Sequence, residues 1–328
     1  MKRRPLLATL AGLSLSPGAV RSQSKSLPVI AVLGSGSATA SSSRMQMTLL
    51  EAGLREIGLN AGRDYVLSTR WAGSASSEFP ALAAELLAER PAAVVVSTNL
   101  AALAVQKLSP TVPIVGTGLN APVASGLVAS LSRPGGTITG VSTMAEEVLA
   151  KLFQMTRETL PKAGRLAVIA NPTNPSNPPM VAALTDLAAR NEIAVDTIEV
   201  SGPADLDGGF ARLAATTPAA LFVLTDNSLF GLADTIIARA LALGIPSVGG
   251  FSAPFAFAGG LYAYGRDVRE AFQGVARLLK KILAGATPAD LPFEQPTKFS
   301  LYINQRTART LGIAVPPLLL AVADEVIE

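Results

Sequence analysis

Four times along the chain a short apolar run, rich in β-branched residues, gives way to a polar loop and then to a helix-like segment. These are residues 29–37 (VIAVLGSGS), 92–99 (AAVVVSTN), 166–174 (LAVIANPTN) and 221–228 (LFVLTDNS). The run containing Val94, Val95 and Val96 is too short and too branched for a helix and predicts a strand buried on both faces. Ser97, Thr98 and Asn99 follow as a polar turn with N-cap chemistry, and residues 100–108 predict a helix. In open α/β sheets, ligands sit where such loops gather, at the carboxyl ends of the strands. Two such loops in each half of the chain predict two sheets facing one cleft.

The pattern between these units keeps the same alternation. Residues 43–57 predict a helix with Leu50, Leu54 and Ile57 on one face and Gly58 as its stop. A strand over 64–71, a helix over 80–89 ended by Pro91, and a short strand over 112–115 follow. Residues 122–141 break the rhythm with the turn Arg133-Pro134-Gly135-Gly136, and the first passage between domains is placed there. A helix over 146–160 then leads into strands over 166–170, 194–200, 219–224, 245–248 and 261–264. Residues 268–283 predict a long helix with Val268, Phe272, Val275, Leu279 and Ile282 on one face. Lys280 and Lys281 oppose its dipole and Gly285 caps it. Pro288, Pro292 and Pro296 mark an extended connector, before a strand over 299–303 and a helix over 304–311. The fold class is α/β with mostly parallel sheets. One lobe is expected over 27–122 with part of 265–295, the other over 123–264 with part of 296–328.

Composition narrows the picture. The 328 residues are 49% hydrophobic and 16% charged, enough for two cores and unlike a disordered chain. Residues 1–22 read as a secretory signal: Lys2, Arg3 and Arg4, then an uncharged stretch from Pro5 to Val20, with Val20 and Ser22 suited to cleavage. Arg3-Arg4 is a weak twin-arginine cue, and no Cys offers a lipid anchor. Taking Lys2, Arg3, Arg4 and Arg21 from the 27 Lys+Arg leaves one fewer base than the 24 Asp+Glu. No basic surplus remains to favour nucleic acid. The chain has no Cys and no His, which removes the commonest general base and metal ligand. The uncharged stretches between Lys107 and Arg133 and between Arg239 and Arg266 are broken by Pro and Gly. They fit buried strands better than membrane spans.

The candidate chemistry is that of binding. Gly34 and Gly36 begin a dinucleotide fingerprint, but Thr39 stands where its third glycine belongs. Ser35, Gly36 and Ser37 still offer hydroxyls and N–H groups near a helix start. Asn171 and Asn174 sit on a Pro-stiffened loop after a strand, able to present amides or to form an ordinary Asx turn. Asp226 follows the next strand and serves either a ligand or a helix N-cap. Trp71, the lone tryptophan, and Tyr264 end strands and either stack on a planar ligand or pack. Asp205 and Asp207 resemble an acidic metal motif, but the simpler expectation is that one of them caps the next helix. No G-x-S-x-G elbow and no Walker loop is present, and no cofactor or metal is expected.

A family resemblance rests on many moderate motifs in order across nearly all of the chain beyond residue 22. They are residues 53–58 (GLREIG), 70–72 (RWA), 80–86 (PALAAEL), 126–136 (GLVASLSRPGG), 171–175 (NPTNP), 259–265 (GGLYAYG) and 321–328 (AVADEVIE). With these the chain resembles the substrate-binding proteins of ABC importers, in particular the tryptophan/tyrosine type. The resemblance implies a two-lobed periplasmic-binding-protein fold (type I, Venus flytrap), each lobe a mostly parallel sheet flanked by helices. The lobes would close on a small ligand and dock on a permease driven by an ATPase subunit. Family-like loops fall at Ser35, Gly36 and Ser37, at Ser97 and Thr98, at Asn171 and Asn174, and at Asp226. Two departures stand out. Asn120-Ala121-Pro122 has Ala121 where the family carries Asp, and Thr98-Asn99 replaces a Thr-Pro turn. Loss of that carboxylate argues against an α-amino acid and toward an uncharged or anionic aromatic or polar ligand.

The expectation is therefore an exported, periplasmic, monomeric solute-binding protein rather than an enzyme. It is neither embedded in the membrane nor bound to nucleic acid. Its partners are a small-molecule ligand, probed by Ser35, Gly36, Ser37, Trp71, Ser97, Thr98, Asn99, Asn120, Asn171, Asn174, Asp226 and Tyr264, and an ABC permease with its ATPase. Two readings stay open beside it: a two-domain enzyme such as a sugar-nucleotide transferase, and a ligand-sensing partner of a sensor kinase.

Overall fold

A computed structural model describes residues 26–73, 76–250 and 253–328; the expected signal segment lies outside them. The first half runs β1 (Val29–Gly34), α1 (Ser41–Glu56), β2 (Val66–Trp71), α2 (Phe79–Ala88), β3 (Ala93–Val96), α3 (Asn99–Leu108), β4 (Ile114–Leu119) and β5 (Ile138–Ser142). Its five strands form one sheet in the order β2-β1-β3-β4-β5, all pairs parallel. Side chains alternate across each strand. Ile30, Val32, Ala93 and Val95 share a core with Leu50 and Leu54 of α1, while Ala31, Leu33, Val94 and Val96 face Ala83 and Leu86 of α2 and Ala102 and Val105 of α3. Covered on both sides, the strands need unbroken apolar runs, which is what the sequence carries.

The second half adds α4 (Ala145–Thr159), β6 (Arg165–Ala170), α5 (Asn177–Ala189), β7 (Ala194–Glu199), α6 (Leu206–Thr216), β8 (Leu221–Val223), α7 (Asn227–Gly231), α8 (Ala233–Ala242), β9 (Ser247–Gly249), α9 (Ala253–Phe257) and β10 (Tyr262–Arg266). After α10 (Val268–Leu283) come β11 (Phe299–Asn304), α11 (Gln305–Thr310), α12 (Pro317–Ala321) and β12 (Glu325–Ile327). Read from the far edge, the second sheet is β7-β6-β8-β9-β10-β11-β12, with β10 and β11 antiparallel and the other pairs parallel. Its first five strands repeat the order of the first sheet. Each sheet therefore has one switch point, β1/β3 in the first and β6/β8 in the second.

The expected first passage at 122–141 is corrected. β5 pairs with β4, so the chain stays with the first sheet until Ser142. The strand ITGVS is short and glycine-interrupted, and the turn before it is a surface loop rather than a connection between lobes. α4 then joins the second core. The chain returns after Arg266, because α10 packs on α1 and shares the first sheet's core through Phe272, Val275 and Leu279. Gly53 permits that approach: a Cβ there would lie 3.0 Å from the Phe272 carbonyl oxygen and 3.3 Å from the Ala276 Cβ. The residues after α10 stay there too, with Thr139 Oγ1 donating to the Leu291 carbonyl at 2.8 Å and the Glu294 N–H to the Gly140 carbonyl at 2.9 Å. The connections between sheets are thus 142–145, 266–268 and 294–299. Among the described residues no helix is long and apolar enough to cross a membrane.

Candidate functional site

At the first switch point the loops after β1 and β3 touch: the Ser35 N–H donates to Ser97 Oγ at 3.2 Å. Thr98 caps α3, its Oγ1 accepting from the Ala101 N–H at 3.0 Å. This leaves the hydroxyl of Ser97 and the N–H groups of the α3 start facing one opening. At the second switch point the loops after β6 and β8 meet in the same way, with Asn174 Nδ2 donating to Asp226 Oδ2 at 2.6 Å.

Between the two switch points lies a cavity of about 660 Å³. Of the sequence-chosen residues, Ser35, Gly36, Ser37, Ser97, Thr98, Asn99, Asn120, Asn174 and Asp226 line it. Asn99 is buried, and its amide is committed to the next loop: Nδ2 donates to the Asn120 carbonyl at 2.8 Å and Oδ1 accepts the Asn120 N–H at 3.1 Å. That clamp aims Asn120 across the cavity. Asn120 Nδ2 donates to the Thr225 carbonyl at 2.6 Å, and Asn120 Oδ1 accepts from Thr143 Oγ1 at 2.7 Å. The first of these bonds joins a loop of one sheet to a loop of the other. Ala121, beside it, is buried in the second core and does not line the cavity.

Asp226 carries the densest set of partners. Its Oδ1 accepts the Ser228 and Leu229 N–H groups at 2.8 and 3.0 Å, capping α7. Asn171 Nδ2 lies 3.4 Å from both carboxylate oxygens. With Asn174 on Oδ2, the carboxylate is already supplied with donors and has little capacity left for a ligand amine.

Three of the chosen residues sit elsewhere. Asn171 is fully buried behind the wall, holding Asp226 and taking no part in the lining. Trp71 lies over Gly34, where any Cβ would run into its six-membered ring. Tyr264 stacks on Phe299 with ring centroids 5.6 Å apart, within the β10–β11 pair and off the cavity. The acidic pair is also remote. Asp205 Oδ2 accepts the Ser201 and Gly202 N–H groups ahead of α6, and Asp207 pairs with Arg239 at 2.6 Å on the surface. Neither carboxylate bonds within the first turn of α6, which corrects the expected cap. Among the described residues no cluster of acidic side chains is arranged to hold a metal ion.

Sequence reasoning missed much of the apolar wall and one charge. Met45, Phe79, Phe230, Leu232 and Phe272 contribute the apolar lining. Four of them sit on helices and Leu232 joins α7 to α8, and an apolar residue at helical spacing is indistinguishable from core. Arg266 also lines the cavity. It closes the strand whose Tyr264 drew attention, and its signal was a lone cation ending an uncharged stretch, between Arg239 and itself.

Comparison with known proteins places this geometry. The family described as ABC transporter substrate binding protein matches residues 39–327. The tyrosine-binding protein of Clostridioides difficile is 25% identical over 202 residues, 62% of this chain and 57% of that protein, so this chain spans little more than half of that relative's length. Among solved structures, a Streptococcus pneumonia ABC domain in complex with L-Trp superposes with a TM-score of 0.84 at 21% identity, covering 92% of this chain and 100% of that one. The ligand-free, open structure of a Clostridium difficile substrate-binding protein superposes with a TM-score of 0.67 at 20% identity, covering 92% and 99%. These superpositions and the twin sheets give the type I periplasmic-binding-protein fold. On the match of its sequence over residues 39–327, the chain belongs to the ABC transporter substrate-binding protein family.

Proposed function

We propose that this chain is the extracytoplasmic solute receptor of an ABC importer, holding a small aromatic or carboxylate-bearing metabolite between two closing lobes. The observation that carries the reading is the cavity, about 660 Å³ opening at the switch points of both sheets at once. A ligand there touches both lobes only when they are shut, so binding favours the shut arrangement. The bond from Asn120 to the Thr225 carbonyl supports a shut arrangement here. One lobe is 26–142 with 268–294, the other 145–266 with 299–328, and the connections between them form the hinge.

In this reading the receptor is a monomer, exported by residues 1–22 with cleavage near Ser22 into the periplasm. It delivers its cargo to a membrane permease and ATPase without altering it chemically. The polar residues of the wall serve recognition: Ser35, Gly36, Ser37, Ser97 and Thr98 supply hydroxyls and N–H groups, while Asn120 and Asn174, whose amides bond to Thr225, Thr143 and Asp226, hold the shape of the wall.

Thermal melts of the purified chain against a broad metabolite library test the proposal. A ligand at 100 times its Kd adds about 2.7 kcal/mol of stability. A library in which nothing raises the melting temperature overturns the reading, as does a bound compound that is released chemically changed.

A further inference from the structure

Among the described residues, two ionisable side chains line the cavity, Asp226 and Arg266. The Asp226 carboxylate is engaged by the α7 N–H groups and by the Asn171 and Asn174 amides. Arg266 is in the opposite condition. Its Nη1 is buried and has no hydrogen-bond partner, and no ion pair reaches its guanidinium among the described residues. The residue as a whole is half-buried. The neighbouring carboxylate, Asp267, is spent as the N-cap of α10, its Oδ1 accepting the Arg269 and Glu270 N–H groups at 2.7 and 3.2 Å. Burial accordingly pushes the Arg266 guanidinium down to about 10, against a weaker upward pull from Asp267. A desolvated cation with no partner costs free energy unless something supplied from outside completes it.

The niche that receives this group is built. The guanidinium packs against Gly118 of β4, and a Cβ on Gly118 would overlap Nη2 and come within 2.8 Å of Cζ. Gly118 belongs to the first sheet and Arg266 to the second, so the cation bridges the cleft where the chain passes between lobes. The same cavity also has apolar lining, with Phe79, Phe230 and Phe272 among its residues.

We infer that Arg266, seated on Gly118, is the anchor for one carboxylate of the ligand, and that the ligand is an apolar-bodied monocarboxylate lacking an α-ammonium group. The inference rests on the cleft being the solute site. One guanidinium matches one carboxylate in charge and in fork geometry. A dianionic phosphate would bring a second charge with no cation to meet it. An ammonium would find Asp226 already supplied with donors. Because the anchor spans the lobes, neutralising it also favours closure.

Calorimetric titration of matched triplets tests the assignment: 3-phenylpropanoate, 3-(indol-3-yl)propanoate and 3-(4-hydroxyphenyl)propanoate, each beside its primary amide and its α-amino acid. The expected result is that the best carboxylate binds at least about tenfold tighter than its amide and its amino acid. Arg266→Gln should then weaken it by about ten- to a hundredfold, the range of a charged hydrogen bond. Gly118→Ala, which displaces the guanidinium, should weaken it too. Without ligand, Arg266→Met should raise the melting temperature by about 2 °C or more, since it removes an unpaired buried charge. A tighter amide or amino acid, carboxylate binding indifferent to Arg266→Gln, no binding by any of the carboxylates, or a lower melting temperature for Arg266→Met overturns the inference. If a sugar or amine from the broader library binds instead, the receptor reading stands and the anchor falls. If nothing binds at all, both fall.

Discussion

At the scale of single residues, the wall of the cleft is held by side chains that spend their polar atoms on one another. Asp226 was legible in the sequence as a carboxylate after a strand with two possible roles, and the structure gives it the capping role in full. Asp226→Ala strips the acceptor from the first N–H groups of α7 and from Asn174 Nδ2. We expect a loss of about 2 kcal/mol, read as a lower urea midpoint, since orphaned buried donors cost about 1–3 kcal/mol each and local relaxation recovers part. An unchanged midpoint would contradict this account. Trp71 and Tyr264 show where residue-level reading fails. An aromatic at a strand end looks the same in sequence whether it faces a ligand or a neighbour, and here the neighbours are Gly34 and Phe299.

At the scale of elements, α10 is the piece that ties the halves together. Its 268–283 span was readable from the spacing of Val268, Phe272, Val275, Leu279 and Ile282. Its seat on α1 was not, because the docking partner of an apolar stripe lies far away in sequence. Glu270 near its start straps the last interlobe connection, accepting from Thr297 Oγ1 at 2.6 Å and from the Lys298 N–H at 3.0 Å. The Thr297 hydroxyl, foremost, holds the Glu270 carboxyl below its usual value, with the Lys298 and Thr297 N–H groups helping against partial burial. An acid whose folded value is depressed contributes stability fully above its unfolded value, near 4.5, and loses it as pH falls through the folded value. Urea midpoints measured from pH 6 down to pH 3 should therefore fall more steeply for the parent than for Glu270→Gln. Parallel curves would show that the strap carries no linkage.

At the scale of the whole molecule, two sheets of one strand order face each other across a cavity and are joined by 142–145, 266–268 and 294–299. Asn120 reaches from one side to the Thr225 carbonyl on the other. Removing that amide should bias the unliganded molecule toward an open form, since the bond exists only when the lobes meet. Small-angle scattering should then give a larger radius of gyration for ligand-free Asn120→Ala than for the parent, and saturating ligand should bring the two together. Identical ligand-free profiles would leave Asn120 without a role in closure.

The sequence alone determined what depends on local order. Buried parallel strands demand consecutive apolar residues, helices demand a repeat of 3.6, and loops between them demand polar and turn-forming residues. Residues such as Ser35, Ser97, Asn174 and Asp226 were therefore recoverable as strand-end positions. Tertiary structure decided what depends on contacts distant in the chain. It placed β5 in the first sheet, α10 against α1, Asn171 behind the wall, and the Arg266 guanidinium over Gly118. The fate of Arg266 is set by a glycine 148 residues earlier, one whose missing side chain makes room for a cation only once the two sheets are brought face to face.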